Sequence, residues 1–275
     1  MLNNIKMIFF KNKRLIFIIC VLLVCSIAIA VGVYTEITDK GIIGTEKKKK
    51  NEVDYEELKD NFKNIFSNTI KKQSDANSNY NYDEILYCAY DITEEKDGEY
   101  DITAKVPLFR LEGDVISNIN KEIFDTFARK IVDIVQNSSM HTIYSLDYVA
   151  YVNGNIISLV IKCNYKVGTN PQRTIIQTYN YDIENNKLLS IQDILKYKNL
   201  NKEEVQNKVN EEIKLEIKNE SIGEQGYNVY KRDEESSMYK IDNTPNYFLG
   251  ENNCLYLVYA YGNNDFTSQI DLVIF

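Results

Sequence analysis

The stretch IYSLDYVAYVNGNIISLVIKCNYKV, residues 143–167, decides the fold of this chain. It consists of two runs rich in β-branched and aromatic residues, 143–152 and 156–167, which flank Asn153-Gly154. Such residues favour strands, and Asn-Gly between two of these runs is a strong signal for a tight hairpin. Because residues 174–183 have the same composition, the sequence predicts a meander of three antiparallel strands.

Further strands are predicted on both sides of this meander. Residues 85–93 and 100–106 read as a hairpin around the turn 94–98, and Pro107 is expected to end its second strand. The carboxyl-terminal part is β-rich again at 247–249, 254–261 and 270–275. Hairpin connections of this kind predict an antiparallel sheet.

Two main helices are expected to pack against this sheet. The first begins at Gly113-Asp114 and places an apolar residue at every third or fourth position: Val115, Ile119, Ile123, Phe127, Ile131 and Ile134. The second follows Asn201 and Glu204 and has a stripe formed by Val205, Val209, Ile213 and Ile217. Ser190 and Asp193 predict a short capped helix between the meander and the second helix. The predicted fold class is α+β.

The amino terminus predicts a membrane anchor. Residues 15–33 contain no charged side chain, and at about 1.5 Å per residue they approach the ~30 Å of a bilayer core. Four basic residues precede them, Lys6, Lys11, Lys13 and Arg14, which favours a cytoplasmic amino terminus. A cleaved signal peptide ending at Ala28-Ile29-Ala30 is the alternative. A lipoprotein would need a small residue before Cys25, where Val24 stands.

The domain plan follows from this topology. Residues 1–14 form a cytoplasmic tail, 15–33 the transmembrane helix, 34–52 a linker, 53–81 an amphipathic helix with a polar break, and 82–275 an α+β domain outside the cell. Asp54 and Glu57 resemble a capping box that opens the helix at 53–72. Its apolar stripe consists of Leu58, Phe62, Ile65 and Phe66.

The net charge indicates which classes of partner to expect. Residues 1–34 contain four of the 32 basic residues and none of the 40 acidic ones, so the remainder carries 28 basic against 40 acidic residues, a net charge of −12. Nucleic acid is not an expected partner, because its binding depends on Lys and Arg contacts to phosphate. Cationic partners suit this surface. Cys88, Cys163 and Cys254 fall on strand-like segments without metal-ligand spacing, and we expect them to be small buried side chains.

Several motifs carry a family resemblance. Residues 179–183, Tyr-Asn-Tyr-Asp-Ile, followed by the turn 184–187 and the segment 188–195, resemble a hallmark of the extracytoplasmic domain found in RsiV-type lysozyme-sensing anti-sigma factors and ahead of the catalytic domain in some peptidoglycan deacetylases. Supporting pieces are Pro107 with Asn118-Ile119-Asn120, the Ser158-Leu159 strand, and residues 261–268. The resemblance covers 82–275. It implies an RsiV-like domain that recognises a cell-envelope ligand or a cationic protein such as lysozyme.

The chain departs from this family at two places. Family members often carry a Gly-Gly-Ala-His-type loop where residues 168–173 read Gly-Thr-Asn-Pro-Gln-Arg. Only residues 1–14 precede the predicted span, so we do not expect this chain to hold a sigma factor.

The catalytic inventory predicts a protein without enzymatic activity, cofactor or metal. His141 is the only histidine, and we expect a structural or solvated role for it. Asp75, Asn77 and Asn79 alternate as in a calcium loop, but Tyr80 replaces the turn glycine and Leu86 the twelfth ligand. Six tyrosines lie on β segments: Tyr144, Tyr148, Tyr179, Tyr181, Tyr259 and Tyr261. Several could form an exposed aromatic surface for a glycan or a protein, but core packing is the favoured role for most of them.

Two loops are the candidate ligand-binding regions, since recognition often resides in loops held by a sheet. They are 168–173 and 262–268, and the candidate residues are Asn170, Gln172, Arg173, Tyr261, Asn263, Asn264 and Asp265. The competing interpretation is that these residues serve turn conformation alone. Two alternative functions stay open: a cell-wall-modifying enzyme, and an accessory subunit of an envelope complex whose helix at 53–72 docks on a partner.

Overall fold

The structure is a computed structural model that describes residues 53–222 and 230–275, and Val53–Phe275 forms one compact unit. The predicted span 15–33 and the linker 34–52 lie outside the described residues. Within the described ranges, no helix combines the length and the apolar character needed to cross a membrane.

Ten strands form two sheets in the described part of the chain. The large sheet contains β1 (Ile70–Lys72), β2 (Leu86–Lys96), β3 (Tyr100–Phe109), β4 (Thr142–Asn153), β5 (Ile156–Val167), β6 (Arg173–Asp182) and β7 (Lys187–Leu188). The small sheet contains β8 (Asn246–Leu249), β9 (Leu255–Ala260) and β10 (Ile270–Ile274). The predicted hairpin is confirmed: Asn153 pairs with Ile156 around Gly154, whose φ is +57°. The meander β4-β5-β6 is antiparallel as expected.

The expectation of a wholly antiparallel sheet is wrong at β4. The order of the large sheet is β2-β3-β4-β5-β6-β7, and β3 runs parallel to β4. The long helix that lies between these two strands in sequence carries the chain back to the end of the sheet where β3 began, and this makes the pair parallel. β1 also runs parallel to β4, along Ala150–Val152, beyond the part of β4 that pairs with β3.

Pro107 does not end β3, contrary to the prediction. The strand continues to Phe109, and Cys88 of β2 lies opposite Pro107. A bulge places the extra residue Ala89 between Cys88 and Tyr90. Proline lacks an N–H for the ladder, and a bulge is one of the places where a sheet accommodates it.

Six α-helices accompany the described strands: α1 (Tyr55–Asn61), α2 (Tyr82–Ile85), α3 (Asp114–Ile123), α4 (Arg129–Asn137), α5 (Ile191–Tyr197) and α6 (Lys202–Ile222). A π-helical turn, Phe124–Ala128, joins α3 to α4, so the first predicted helix is one continuous rod. Ser190 and Asp193 form the predicted capping box of α5. The Asn201 side chain accepts the Glu203 and Glu204 amides at the start of α6.

The helix predicted over 53–72 is shorter than expected. α1 ends at Asn61, a 3₁₀ turn follows over Phe62–Asn64, and the chain then turns into β1. Asn68 has a φ of +56°, which a continuing helix does not allow. Leu58, Phe62 and Ile65 are buried against the chain's own small sheet. The docking of this apolar stripe on a partner is therefore not supported.

Three apolar cores separate four layers. The rod α3–α4 covers one face of the large sheet, with Ile123 and Phe127 at the centre of this core. The small sheet packs on the opposite face, through Val149 and Val160 against Phe248 and Val258. The helices α5 and α6 cover the outer face of the small sheet.

Candidate functional site

The two loops predicted from the sequence lie side by side. The Thr174 amide donates to the Thr267 carbonyl at 3.0 Å, and the Ser268 hydroxyl donates to the Gln172 carbonyl at 3.2 Å. The first loop connects β5 to β6, and the second precedes β10. We call residues 168–173 and 262–268 together the loop platform.

Arg173 joins the two halves of the platform. Its Nε donates to the Gly262 carbonyl oxygen, and its Nη2 donates to the Asn263 carbonyl oxygen at 2.5 Å. The side chain is half-buried. A guanidinium presents its donors in a rigid fork, so these two bonds fix the position of the second loop relative to β6. Arg173 therefore has a structural role within the platform.

Asn263 extends this connection to the backbone of β6. Its Oδ1 accepts the Ile176 amide at 2.9 Å, and its Nδ2 donates to the Ile176 carbonyl at 2.8 Å. The amide group thus imitates one residue of a pairing strand. Hydrogen bonds to β6 therefore hold the Asn263 side chain, and hydrogen bonds to the second loop hold the Arg173 side chain.

Gly262 allows the close approach of the two loops. A Cβ at this position would lie 2.1 Å from the Thr174 carbonyl oxygen and 2.5 Å from that of Thr267. Both neighbours are backbone atoms, which cannot move aside without opening the platform. Glycine is therefore required here by space.

Tyr261 is a core residue and offers no ligand surface. Its hydroxyl donates to Asp271 Oδ2 at 2.5 Å, and so the Tyr239 hydroxyl, 2.7 Å away, donates to the Tyr261 oxygen. Tyr230 stacks on its ring with the centroids 4.0 Å apart. Burial, together with the Asp271 carboxylate, raises the pKa of Tyr261 far above its usual range. Core packing is the role expected for most of the six β-segment tyrosines, and all six are buried: Tyr144, Tyr148, Tyr179, Tyr181, Tyr259 and Tyr261.

The remaining predicted residues face solvent. Asn170, Gln172, Asn264 and Asp265 are exposed at the top of the platform. Phe266 follows Asp265 directly and is 58% exposed, more than any other large apolar residue in the described ranges. Phe266 was not among the predicted site residues. A phenylalanine within a run of Asn, Asp, Thr and Ser was the signal that could have indicated it.

A polar groove of about 480 Å³ borders the platform. Its walls come from the end of α4, the loop that follows and the neighbouring ends of β4 and β5, and its lining includes Lys130, Asp133, Asn137, Ser139 and Tyr165. The Lys130 ammonium lies 5.2 Å from the centroid of the Tyr165 ring.

Met140 connects this groove to the platform. It lines the groove, and a Cβ at Gly168 would lie 3.3 Å from its Sδ. The Gly168 amide also donates to the His141 carbonyl at 2.8 Å. His141 itself pairs with Asp101, Nε2 to Oδ2 at 3.2 Å. Platform and groove therefore form one continuous candidate surface.

A larger groove of about 530 Å³ runs along α6, but the one lysine in its lining, Lys208, is engaged internally. Lys208 donates to the Ile274 carbonyl at 2.6 Å and lies over the rings of Tyr55 and Phe275. Lys59 pairs with Glu212 at 2.9 Å at the same place. These contacts join α1 and α6 to the small sheet, and we assign this groove a packing role.

The comparisons with known proteins give structural neighbours. No protein-family model matches the chain, and the search of curated proteins gives no match either. Among solved structures, a DUF3298 family protein from Pseudomonas aeruginosa PAO1 is 12% identical, with a TM-score of 0.41, and the similarity covers 65% of this chain and 82% of that chain. A member of the DUF3298 family from Bacteroides fragilis NCTC 9343 is 14% identical, with a TM-score of 0.36, over 58% of this chain and 74% of that chain. The structural neighbours are thus proteins of this domain family.

Proposed function

We propose that this chain is a membrane-anchored, non-enzymatic recognition protein whose RsiV-like domain lies outside the membrane and binds a cationic protein such as a lysozyme. The observation that carries the proposal is the exposed Phe266 on a platform braced by Arg173 and Asn263. Exposed aromatic residues on a rigid frame are typical anchors of protein interfaces. The exposed carboxylate of Asp265 adjoins this anchor.

Charge supports a cationic partner. Residues 35–275 carry a net charge of −12. Complementary charge raises the rate at which two proteins associate, and added salt screens this attraction and lowers the rate again. Lysozyme binding should therefore weaken with rising ionic strength, whereas the Phe266 contribution should persist.

The binding test uses the full-length chain in a mild detergent, with a cationic lysozyme as ligand and cytochrome c as a cationic control. We expect saturable lysozyme binding that Phe266→Ala weakens by tenfold or more, equivalent to about 1.4 kcal/mol. Leu215→Ala, which truncates an exposed apolar side chain on α6, serves as the control and should leave the affinity unchanged. Equal affinities for lysozyme and cytochrome c would contradict the proposal. So would an affinity for lysozyme that Phe266→Ala leaves unchanged.

A second candidate ligand is a cell-wall glycan, and the groove beside the platform favours it. Its lining combines an aromatic ring, Tyr165, with the amide of Asn137 and the hydroxyls of Ser138 and Ser139. Sugars present apolar faces and many hydroxyl groups, and such a lining satisfies both. Soluble peptidoglycan fragments should then bind in a manner that Asn137→Ala weakens and Phe266→Ala does not.

The non-enzymatic part of the proposal has its own test. Peptidoglycan fragments and lysozyme recovered after long incubation with the full-length chain should be unchanged in mass. A hydrolysed or deacetylated fragment would instead support the alternative of a cell-wall-modifying enzyme. Binding of neither probe, together with stable capture by envelope proteins, would support the alternative of an accessory subunit.

The proposed topology is tested on cells. Protease added to intact protoplasts should digest the domain, and the mature protein should retain residues 1–30. A mature amino terminus at Val31 would show that the apolar segment is a cleaved signal peptide and would contradict the anchor.

A further inference from the structure

The strand β2 forms one edge of the large sheet and pairs only with β3 among the described strands. The opposite edge strand, β7, has two residues, whereas β2 has eleven. Beyond the bulge at Ala89, pairing with β3 is regular from Tyr90 to Lys96. A long regular edge presents a row of main-chain donors and acceptors that another strand can use.

The side chains of β2 alternate between two faces of the sheet. Tyr90, Ile92 and Glu94 lie opposite core residues of β3, namely Val106, Ala104 and Ile102, and so they are on the face covered by α3–α4. Asp91, Thr93 and Glu95 lie opposite the polar residues Lys105, Thr103 and Asp101 on the other face. An added strand would continue this alternation, with one set of its side chains on each face.

The face covered by the helix offers an apolar contact beside the edge. The rings of Tyr90 and Phe124 lie 6.4 Å apart, and their side chains are 40% and 38% exposed. Phe124 belongs to the π-helical turn between α3 and α4. The two rings thus form an exposed aromatic pair next to the free edge.

Two valines of α4 lie on the same side of the rod. Lys130 and Asn137 of α4 line the same groove as Tyr165 of β5. The side of α4 that carries these two residues therefore faces β5. At 100° per residue, Val132 and Val135 are on the opposite side, toward β2. Both are exposed, and they extend the apolar contact that begins at Phe124.

The hairpin β2–β3 is strongly acidic. From Leu86 to Phe109 it contains six acidic residues, Asp91, Glu94, Glu95, Asp97, Glu99 and Asp101, and two lysines, Lys96 and Lys105, a net charge of −4. Lys105 pairs with Asp91 and Lys96 with Glu99. An occupant of this edge should therefore carry basic residues.

We propose that the free edge of β2 receives, as an additional strand, an extended segment of a partner protein in which basic residues alternate with apolar ones. The apolar set would lie against Tyr90, Phe124 and the valines of α4, and the basic set beside Asp91 and Glu95. A second copy of this chain fits poorly, because pairing β2 with itself brings two hairpins of charge −4 to strand spacing, where like charges repel. The surface shares no residue with the loop platform, so it is a second binding surface, independent of the function proposed above.

The probe is a capped seven-residue peptide, Lys-Val-Lys-Val-Lys-Val-Lys, titrated into the full-length chain in detergent. We expect saturable binding. Two further peptides carry N-methyl groups on all the valines or on all the lysines. Because alternate residues direct their N–H groups to the same edge, one of these two peptides should lose tenfold or more in affinity and the other should bind as the parent does. Equal binding of all three would mean attraction by charge alone and would overturn the proposal.

Charge variants locate the surface. Glu95→Lys with Asp97→Lys should weaken binding of the parent peptide by tenfold or more. The control, Glu203→Lys with Glu211→Lys on α6, changes net charge equally but leaves β2 intact, and it should bind nearly as the unmodified chain does. Equal weakening in both variants would overturn the assignment to β2, as would a dimer of the chain that the peptide dissociates.

Discussion

The Leu249 amide of β8 donates to the Ser158 hydroxyl of β5 at 3.1 Å, and this bond joins the two sheets across their shared core. Ser158 in turn donates to Asn180 Oδ1 at 2.6 Å, and Asn180 Nδ2 donates to the Tyr247 carbonyl at 2.7 Å. Asn153 Nδ2 donates to the Leu249 carbonyl at 3.1 Å. These bonds satisfy the main chain of β8 from the large sheet, and they fix where the small sheet lies on it.

Replacing Ser158 by alanine should destabilise the domain. The change removes the hydrogen-bond partner of the Leu249 amide and of Asn180 Oδ1 in a fully buried place, which costs about 1–3 kcal/mol. Urea unfolding of the segment Val53–Phe275 measures this loss. Ser145→Ala, at a half-exposed position of β4, is the control and should change stability by less than about 0.5 kcal/mol. Equal effects would mean that the bond between the sheets adds nothing.

Much of the fold could be predicted because its signals are local. Asn153-Gly154, Ser190 with Asp193, and the stripe through Ile123 and Phe127 each lie within one element. The burial of Ser158 could not be predicted in this way, because a serine in an alternating strand gives no sign of a second sheet above it. The parallel pairing of β3 with β4 likewise depends on where a long helix returns the chain.

The candidate site also combines local features, which could be predicted, with non-local contacts, which could not. The loops 168–173 and 262–268 were identified from turn residues, but Arg173 meets the Gly262 carbonyl across 89 positions of the chain. Residues so far apart in sequence share no local pattern from which their contact could be predicted. The groove is also non-local, since Asn137 and Tyr165 come from a helix end and a strand.

Phe127→Ala should be among the most damaging single changes in this domain. Phe127 belongs to the π-helical turn and is 1% exposed, and its main-chain carbonyl accepts a hydrogen bond from the Tyr144 hydroxyl at 3.1 Å. Removing a buried phenyl ring leaves a cavity and costs about 3–5 kcal/mol. Val132→Ala on the exposed side of the rod is the control and should have little effect. A shift in melting temperature of only one or two degrees for Phe127→Ala would contradict the assigned core.

Gly262→Ala should open the loop platform. The new Cβ would meet two carbonyl oxygens, and the Arg173 and Asn263 bonds depend on the present spacing. Gly98→Ala is the control for backbone strain without a clash. Gly98 has a φ of +71° and open space around it, so its replacement should cost only about 1–2 kcal/mol, the cost of a left-handed residue. We expect Gly262→Ala to exceed that cost and to abolish lysozyme binding. Equal melting temperatures of the two variants would mean that the loops separate without cost.

The capping box of α5 should contribute stability that depends on pH. Hydrogen bonds from Lys187 and then Ser190 lower the pKa of Asp193 from 3.8 to about 2. Since the folded pKa lies below the unfolded one, the contribution is complete above about pH 4 and disappears as the pH falls through 2. Asp193 is half-exposed and its partner Lys187 is exposed, so solvent screening limits the effect to less than about 1 kcal/mol. Unfolding of Asp193→Asn and the unmodified domain should therefore differ at pH 6 and converge toward pH 2; a difference that is constant with pH would contradict this.

Asp271→Asn should cost more than any surface charge change, because it removes the carboxylate that accepts two hydrogen bonds from the buried Arg232. Arg232 donates to both carboxylate oxygens of Asp271 at 2.6 Å, and the two side chains are 3% and 6% exposed. Removing one partner of a buried pair costs about 3–5 kcal/mol, whereas replacing both by apolar residues is often neutral. We therefore expect Arg232→Met with Asp271→Leu to recover most of the stability, provided that Tyr239→Phe and Tyr261→Phe also remove the two hydroxyls that lose their acceptors. Urea unfolding of the single and combined variants measures the difference. If the combined variant is no more stable than Asp271→Asn, the loss comes from packing around Tyr261 and not from the broken Arg232–Asp271 pair.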